Sequence, residues 1–348
     1  MGDGPGLVII FGSGEAAASG RRVYDWLFRR LPSPPCVAVL ETPAGFQPNS
    51  ALVAERVAEF VREHLQGYRP MVTVVPARRR GTPFSPDDPS ILAPLLEADA
   101  IFLGAGSPTY AVRQLTNSLA WEYLVARHRQ GSAVILASAA AIAAGTLALP
   151  VYEIFKAGAD LHWIAGLDLF RAFGLRLVFV PHWNNNEGGT ELDTSRCFMG
   201  QDRFRQLLAL IDLNDVTVVG IDEHTALVID PEAESCRVMG RGGVTILRRQ
   251  DETPFQSGQA FPAAQLGPFR LEGIDRPPST KLTDARRATR SAEDKAAAPP
   301  PEVLALVEER DAARRLGDWP LADSLRQQIA RLGWRVVDTA EGPRLELA

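Results

Sequence analysis

The chain has 348 residues, 46% hydrophobic and 23% charged, and a formal net charge of −5, values too apolar for global disorder and without the basic excess of a nucleic-acid binder. No apolar run approaches the ~18 residues of a membrane span, and no basic-then-apolar leader opens the sequence. Three cysteines (Cys36, Cys197 and Cys236), an odd number without a CxxC pair, argue against a disulfide framework and a zinc ribbon, so the expectation is a soluble cytoplasmic protein.

Up to about residue 250, short β-branched runs alternate with amphipathic stretches, the pattern of a sheet covered by helices. The predicted strands are 7–11, 36–40, 71–75, 100–103, 132–137, 175–180, 216–221 and 226–229, and their unbroken apolar character predicts a mostly parallel sheet buried on both faces. A helix over 51–65 turns Leu52, Val57, Phe60 and Val61 toward that sheet, and a second covers 114–127. Around residues 236–247, short strands flanking Gly240-Arg-Gly-Gly243 predict a terminal hairpin. Residues 274–301 are rich in Pro, Ala, Arg, Asp and Thr and read as a flexible linker. Beyond it, Val303, Leu306, Val307 and Leu316 mark one helix. Ala322, Leu325, Ile329 and Leu332 mark another, capped by Asp318 and stopped at Gly333 before a short strand, 334–337. The organisation is therefore an α/β domain over 1–250, an extension and linker over 251–301, and a small helical hairpin module over 302–348.

Four groups of residues have chemical potential. Gly12-Ser-Gly14-x-x-Ala17, with Glu41 ending the next strand, matches a dinucleotide fingerprint on its face; a plain strand-to-helix turn is the alternative. The loop from Gly104 through Gly106 offers free backbone N–H groups at the C-terminal end of a strand. Ser138, between a buried strand and an Ala-rich helix, stands where either a nucleophile elbow or a simple N-cap belongs. His182 and the Asp222-Glu223-His224 run each follow a strand, so Ser138, His182 and Glu223 supply a nucleophile, a base and an orienting acid. Trp183 and Asn184–Asn186 read either as part of a pocket wall or, as exposed Asn runs usually are, as an ordinary loop.

Taken together, Phe11-Gly-Ser-Gly-Glu15, Ala100-Ile-Phe-Leu-Gly-Ala-Gly-Ser107, Ser138-Ala-Ala-Ala-Ile-Ala-Ala-Gly145, Pro181-His182 and Val219-Gly-Ile-Asp-Glu-His-Thr-Ala-Leu-Val228 carry a family likeness. Over about residues 5–249 the chain resembles the cyanophycinase and dipeptidase E family of serine peptidases, with a class I glutamine-amidotransferase-like fold. That resemblance implies Ser138 as nucleophile, His182 as base and Glu223 as acid, with Glu153 the less favoured acid. It also implies an oxyanion hole near Gly106 and Ala139. The sequence departs from the family at the elbow, Gly-x-Ser-Ala-Gly-Ala, where Leu136 and Ala140 replace both glycines. It also lacks the arginine pattern of cyanophycinases after His182, so cyanophycin is not the expected substrate.

The tail, Leu306-Val-Glu-Glu-Arg-Asp-Ala-Ala-Arg-Arg-Leu-Gly-Asp-Trp-Pro-Leu-Ala-Asp-Ser-Leu-Arg326 with Leu332-Gly-Trp, resembles the extreme C-terminus of cysteinyl-tRNA synthetases. Its nine acidic residues (302, 308, 309, 311, 318, 323, 338, 341, 346) outnumber its seven arginines (310, 314, 315, 326, 331, 335, 344) by two, against the basic balance a phosphate-binding module needs. The leading expectation is a serine hydrolase of small peptides or amides, without cofactor, metal or membrane contact. The alternative is a non-catalytic protein that keeps the fold, binds a ligand, and contacts tRNA or a protein through the tail. The oligomeric state stays open, a homodimer included.

Overall fold

The strands of the large unit fall into two principal sheets. The protein is described from a computed structural model that covers residues 4–271, 300–339 and 342–347. The chain divides into two compact units, 1–283 and 284–348. The predicted linker lies outside the described residues except at its last two positions.

In chain order the strands of the first unit are β1 (Val8–Phe11), β2 (Cys36–Leu40), β3 (Met71–Val75), β4 (Ala100–Leu103), β5 (Ala133–Ala137), β6 (Leu147–Ala148), β7 (Ile164–Ala165), β8 (Leu177–Val180), β9 (Thr217–Ile221), β10 (Thr225–Asp230), β11 (Ser235–Gly240), β12 (Gly243–Arg248), β13 (Asp251–Gln256) and β14 (Ala260–Pro262). The main sheet has the order β14-β11-β10-β1-β5-β4-β2-β3. Strands β1, β5, β4, β2 and β3 are mutually parallel, while β10, β11 and β14 are joined antiparallel. A second sheet has the order β13-β12-β9-β8, with β8 and β9 parallel. The molecule is thus a mixed α/β protein whose central, mostly parallel sheet is flanked by helices.

One face of the main sheet presents Ile9, Phe11, Val37, Val39, Phe102 and Ile135 to helices α1 (Ala18–Phe28) and α2 (Ser50–His64). Tyr24, Leu27 and Phe28 of α1 and Val57, Phe60 and Val61 of α2 fill that layer. Full burial of each such side chain contributes about 1.5–3 kcal/mol. Leu52 does not join them: it is 51% exposed, because the stripe through Ala54, Val57, Ala58 and Val61 runs along another side of the helix. On the following stretch the predicted helix is two, α4 (Pro108–Leu115) and α5 (Leu119–Arg129). They part at Asn117, whose φ is 54°. Ser118 restarts the helix by accepting the Trp121 N–H on its Oγ at 3.2 Å. Between α2 and α4 lies α3 (Pro89–Glu97), capped by Asp88.

The predicted hairpin about residues 236–247 is not a hairpin. Strand β11 pairs with β10 and β14 in the main sheet, whereas β12 pairs with β9 and β13 in the second. The glycine-rich segment between them therefore crosses from one sheet to the other. It is held there by Gly242 N–H donating to Thr225 Oγ1 at 2.9 Å and Gly243 N–H donating to Asp222 Oδ2 at 2.8 Å. The second sheet packs with the short helices α6 (Ala139–Ala143) and α7 (Val151–Phe155) and with α8 (Gly200–Leu208), around Ile142, Val178, Val180, Phe204, Leu207 and Val218. Both sheets meet at Gly12, whose N–H donates to Thr225 O and whose carbonyl accepts the His182 N–H.

In the second unit, α9 (Pro301–Arg315) and α10 (Trp319–Arg331) form an antiparallel pair, followed by β15 (Trp334–Thr339) and β16 (Gly342–Leu347). Val303, Val307, Ile329, Trp334 and Val336 make its core. Leu316 and Leu332, expected on the apolar faces, end their helices and stand exposed. Asp318 caps α10 as expected, accepting the Leu321 N–H. The buried Arg310 guanidinium donates to both carboxylate oxygens of Asp338, at 3.0 and 2.8 Å. Those hydrogen bonds hold the Asp338 carboxyl down at about 2, helped by Arg314. Among the described residues no helix is long and apolar enough to cross a membrane.

Candidate active site

Strands β1, β4 and β5 run parallel in adjacent positions, so their C-terminal ends set Gly12, the Gly104–Gly106 loop and Ser138 side by side. Ser138 has φ 51° and ψ −113°, and its hydroxyl makes no capping bond to α6. A positive φ is a strained state for a residue with a Cβ, costing about 1–3 kcal/mol, and such strain collects at functional sites. It turns Oγ away from the helix, to 3.1 Å from His182 Nε2. His182, two residues past β8, also has a positive φ, 52°. Its Nδ1 is 3.0 Å from Glu223 Oε1. A carboxylate only accepts, so this pairing assigns the proton to Nδ1 and leaves Nε2 free to accept from Ser138.

Glu223 occupies the turn between β9 and β10, which neighbours hold from several directions. Asn184 Oδ1 accepts its backbone N–H at 2.8 Å, and Asn185 Nδ2 donates to Oε1 at 3.0 Å. Ser13 Oγ accepts the next N–H, that of His224. Partial burial pushes the Glu223 carboxyl up. The hydrogen bonds from Asn185 and His182 outweigh it and hold the carboxyl below its usual range. It stays ionised at neutral pH, as an orienting partner for imidazole must.

The His182 backbone is braced by a run of three consecutive left-handed residues, Arg196, Cys197 and Phe198. Cys197 N–H donates to His182 O at 3.2 Å and Arg196 N–H to Trp183 O at 2.9 Å, while the Arg196 guanidinium lies 3.8 Å above the Trp183 ring. Left-handed L-residues cost roughly 1–2 kcal/mol each, so packing around Trp183, 5% exposed, must hold this segment in place.

Gly106 and Ala139 line the same cavity as the serine and offer backbone N–H groups there. Ala139 is the first residue of α6, where an N–H has no intrahelical partner. Gly106 has φ 151°, and a Cβ there would run into the Pro43 carbonyl, so only glycine fits. Among the described residues neither N–H has a hydrogen-bond acceptor. A cavity of about 200 Å³ opens beside Gly106, Ser138, Ala139 and His182. The elbow forms without the two glycines of the family pattern. Leu136 is fully buried in β5, opposite Ile10 and Leu103, and Ala140 N–H docks on Gly104 O at 3.3 Å. Every residue of α6 except Ile142 is alanine, which lets the short helix approach the sheet.

Other candidates have different places. Gly12 and Gly14 do not frame a pyrophosphate site. A Cβ on Gly12 would strike the Asp222 carbonyl, and one on Gly14 would come within 2.5 Å of His224 Nδ1. These glycines let the loop close on the Glu223 turn. Glu41, 2% exposed, is ion-paired with Arg78 Nε at 2.6 Å and is not available to a ribose. Glu153 sits on α7 with Oε2 buried and unpartnered among the described residues, and it does not meet His182, whose Nδ1 is with Glu223. Burial, with the Glu223 charge, pushes the Cys197 thiol up to about 12, so this cavity-lining sulfur stays protonated. Among the described residues no group of three or more His, Cys, Asp or Glu is placed to hold a metal ion. The sequence reading offered Asn184–Asn186 as pocket wall or loop but missed the bonds of Asn184 and Asn185 to Glu223; their nearness to His182 in the chain was the available signal.

No protein-family model matches the chain. Among solved structures, a peptidase from an acI-B1 Actinobacterium aligns with a TM-score of 0.59, over 75% of this chain and 98% of its own, at 19% identity. Over that stretch the chain shares the fold of that peptidase. The C-terminal region is similar to cysteine–tRNA ligases. That of Methanosarcina mazei is 49% identical over 47 residues, 14% of this chain, and that of Rubrobacter xylanophilus is 52% identical over 46 residues. The matched part spans only 10% of the length of either ligase.

Proposed function

We propose that the first unit is a serine hydrolase that cleaves small peptides or amides through an acyl-enzyme on Ser138. The hydrogen-bonded chain Ser138–His182–Glu223, closed by a strained elbow, carries this reading. As Ser138 Oγ attacks the carbonyl carbon, its proton passes to His182 Nε2. The carbonyl oxygen, now negative, accepts from the Gly106 and Ala139 N–H groups. Collapse breaks the C–N bond, and the leaving amine takes the proton from His182. Water then attacks the ester, with His182 again as base, and releases the acid and free Ser138. Glu223 remains a carboxylate throughout and steadies the imidazolium. The three free cysteines agree with activity in the cytoplasm.

A fluorophosphonate probe tests the reading. Labelling of the wild-type chain that is lost in Ser138→Ala is the expected result. A folded wild-type chain that takes no label overturns it. For the tail we propose a partner-binding role, with tRNA as the first partner to try, on its likeness to the ligase C-termini. Electrophoretic shift of tRNA by the full chain, absent after truncation at residue 300, is the corresponding expectation.

A further inference from the structure

We infer that the cavity beside Ser138 selects a bulky apolar side chain, such as that of phenylalanine or leucine, on the acyl side of the bond to be cleaved. The inference rests on the serine-hydrolase reading above. An acyl group on Ser138 with its oxygen at Gly106 and Ala139 must direct its side chain into the adjoining space. The hydrolytic steps use none of the remaining walls, which are mainly apolar: Ile142 from α6, Val151 and Phe155 from α7, and Phe198 from the left-handed segment. Ile142 is 2% and Val151 6% exposed, and the Phe155 and Phe198 rings lie 5.3 Å apart.

Size and charge both favour such a guest. A cavity of about 150 Å³ lined by Leu, Ile and Phe admits benzene, and this one measures about 200 Å³. Besides His182, the charged residues in its lining are Lys156 and Glu187, both exposed. Lys156 Nζ rests 4.8 Å from the Phe155 ring centroid. An acidic or basic side chain entering among the inner walls would lose its water without a fixed counter-charge, whereas an apolar one gains by the same desolvation.

The test is a series of α-aminoalkyl phosphonate diphenyl esters reacted with the full chain, with modification of Ser138 followed by intact mass. The esters differ only in side chain: benzyl, isobutyl, carboxymethyl and aminobutyl. Benzyl and isobutyl esters are expected to react at least about tenfold faster than the charged pair. Phe155→Asp is expected to reverse that order in favour of aminobutyl. A faster carboxymethyl or aminobutyl ester, or equal rates across the series, overturns the inference and leaves the serine nucleophile standing. Inertness to all four esters in a chain that still takes the small fluorophosphonate at Ser138 overturns it too. Inertness to the fluorophosphonate as well removes the hydrolase reading itself, and this inference with it.

Discussion

Asn185 is 2% exposed and gives one of its two amide hydrogens to the same Glu223 oxygen that receives His182. Removing that donor leaves the carboxylate partly buried and less well held, and a hydrogen bond to a charged group is worth about 1.5–3 kcal/mol. Asn185→Ala is therefore expected to slow fluorophosphonate labelling of Ser138 by about tenfold or more. Pseudo-first-order rates at pH 7 would measure this, and an unchanged rate would make Asn185 a bystander. The contrast between Asn185 and the triad shows what single residues disclose. Serine, histidine and glutamate at the ends of apolar strands stand out because those ends gather at one edge of an open sheet. Asparagine in a run of three has the composition of any turn, and its partner lies 38 positions away. Backbone strain is equally invisible: nothing in Leu136-Ala-Ser138 announces a φ of 51°.

At the scale of elements, the leucine that replaces the first elbow glycine of the family pattern is a fixed part of the core. Leu136 has no exposed surface, and its strand is paired on both edges. Leu136→Ala should cost about 2–5 kcal/mol of stability, read as a lowered urea midpoint of the full chain, with no gain in Ser138 labelling. In the second unit, Asp338→Ala removes the bidentate partner of the Arg310 guanidinium, which keeps only the longer contact to Asp311 at 3.4 Å; with Asp338 44% exposed, the lost charged hydrogen bonds are worth about 1–3 kcal/mol. Hydrogen exchange in α9 and β15 of the full chain should accelerate markedly, while exchange in β1 and β5 stays unchanged. The eight apolar strands up to residue 230 were legible because buried strands are short, apolar and bounded by glycine, proline and polar residues, whereas α1, α3 and α8 and the strands beyond residue 250 were not read from the sequence. Pairing was not legible either. Strands β11 and β12 read as a hairpin since only two residues separate them. Their partners are chosen by hydrogen bonds to Thr225 and Asp222 on a distant turn.

For the whole molecule, one buried histidine couples stability to pH. His128 on α5 is 1% exposed, and burial brings it down from 6.5 to about 4, with a small opposing contribution from the Ser132 backbone. Above pH 6.5 it is neutral in both folded and unfolded chains and contributes nothing. Between pH 6.5 and 4 the unfolded chain binds a proton that the folded one refuses, so stability falls as pH falls, by up to roughly 3 kcal/mol. His128→Leu should flatten that limb in urea titrations at pH 7 and pH 4.5. Carboxyls held below their usual range, such as Asp88 and Asp193, act only at lower pH. The mostly parallel sheet with covering helices was legible from the alternation of elements. The division into two sheets was not, because apolar strands look alike whichever sheet they enter.

The position of β1 in the sheet order has a consequence for biosynthesis. This strand, Val8-Ile-Ile-Phe11, is made before β5 and β10, yet it lies between them. While the ribosome has reached only as far as β5, the nascent chain can cover one edge of β1, and the other stays open until residues 225–230 emerge. An open apolar edge invites pairing with other chains. Products of premature termination between residues 140 and 220 should therefore aggregate, and they would also lack Glu223, the partner of His182. On the proposed function, activity would arise only when nearly all of the first unit, through the β10 strand, has left the ribosome.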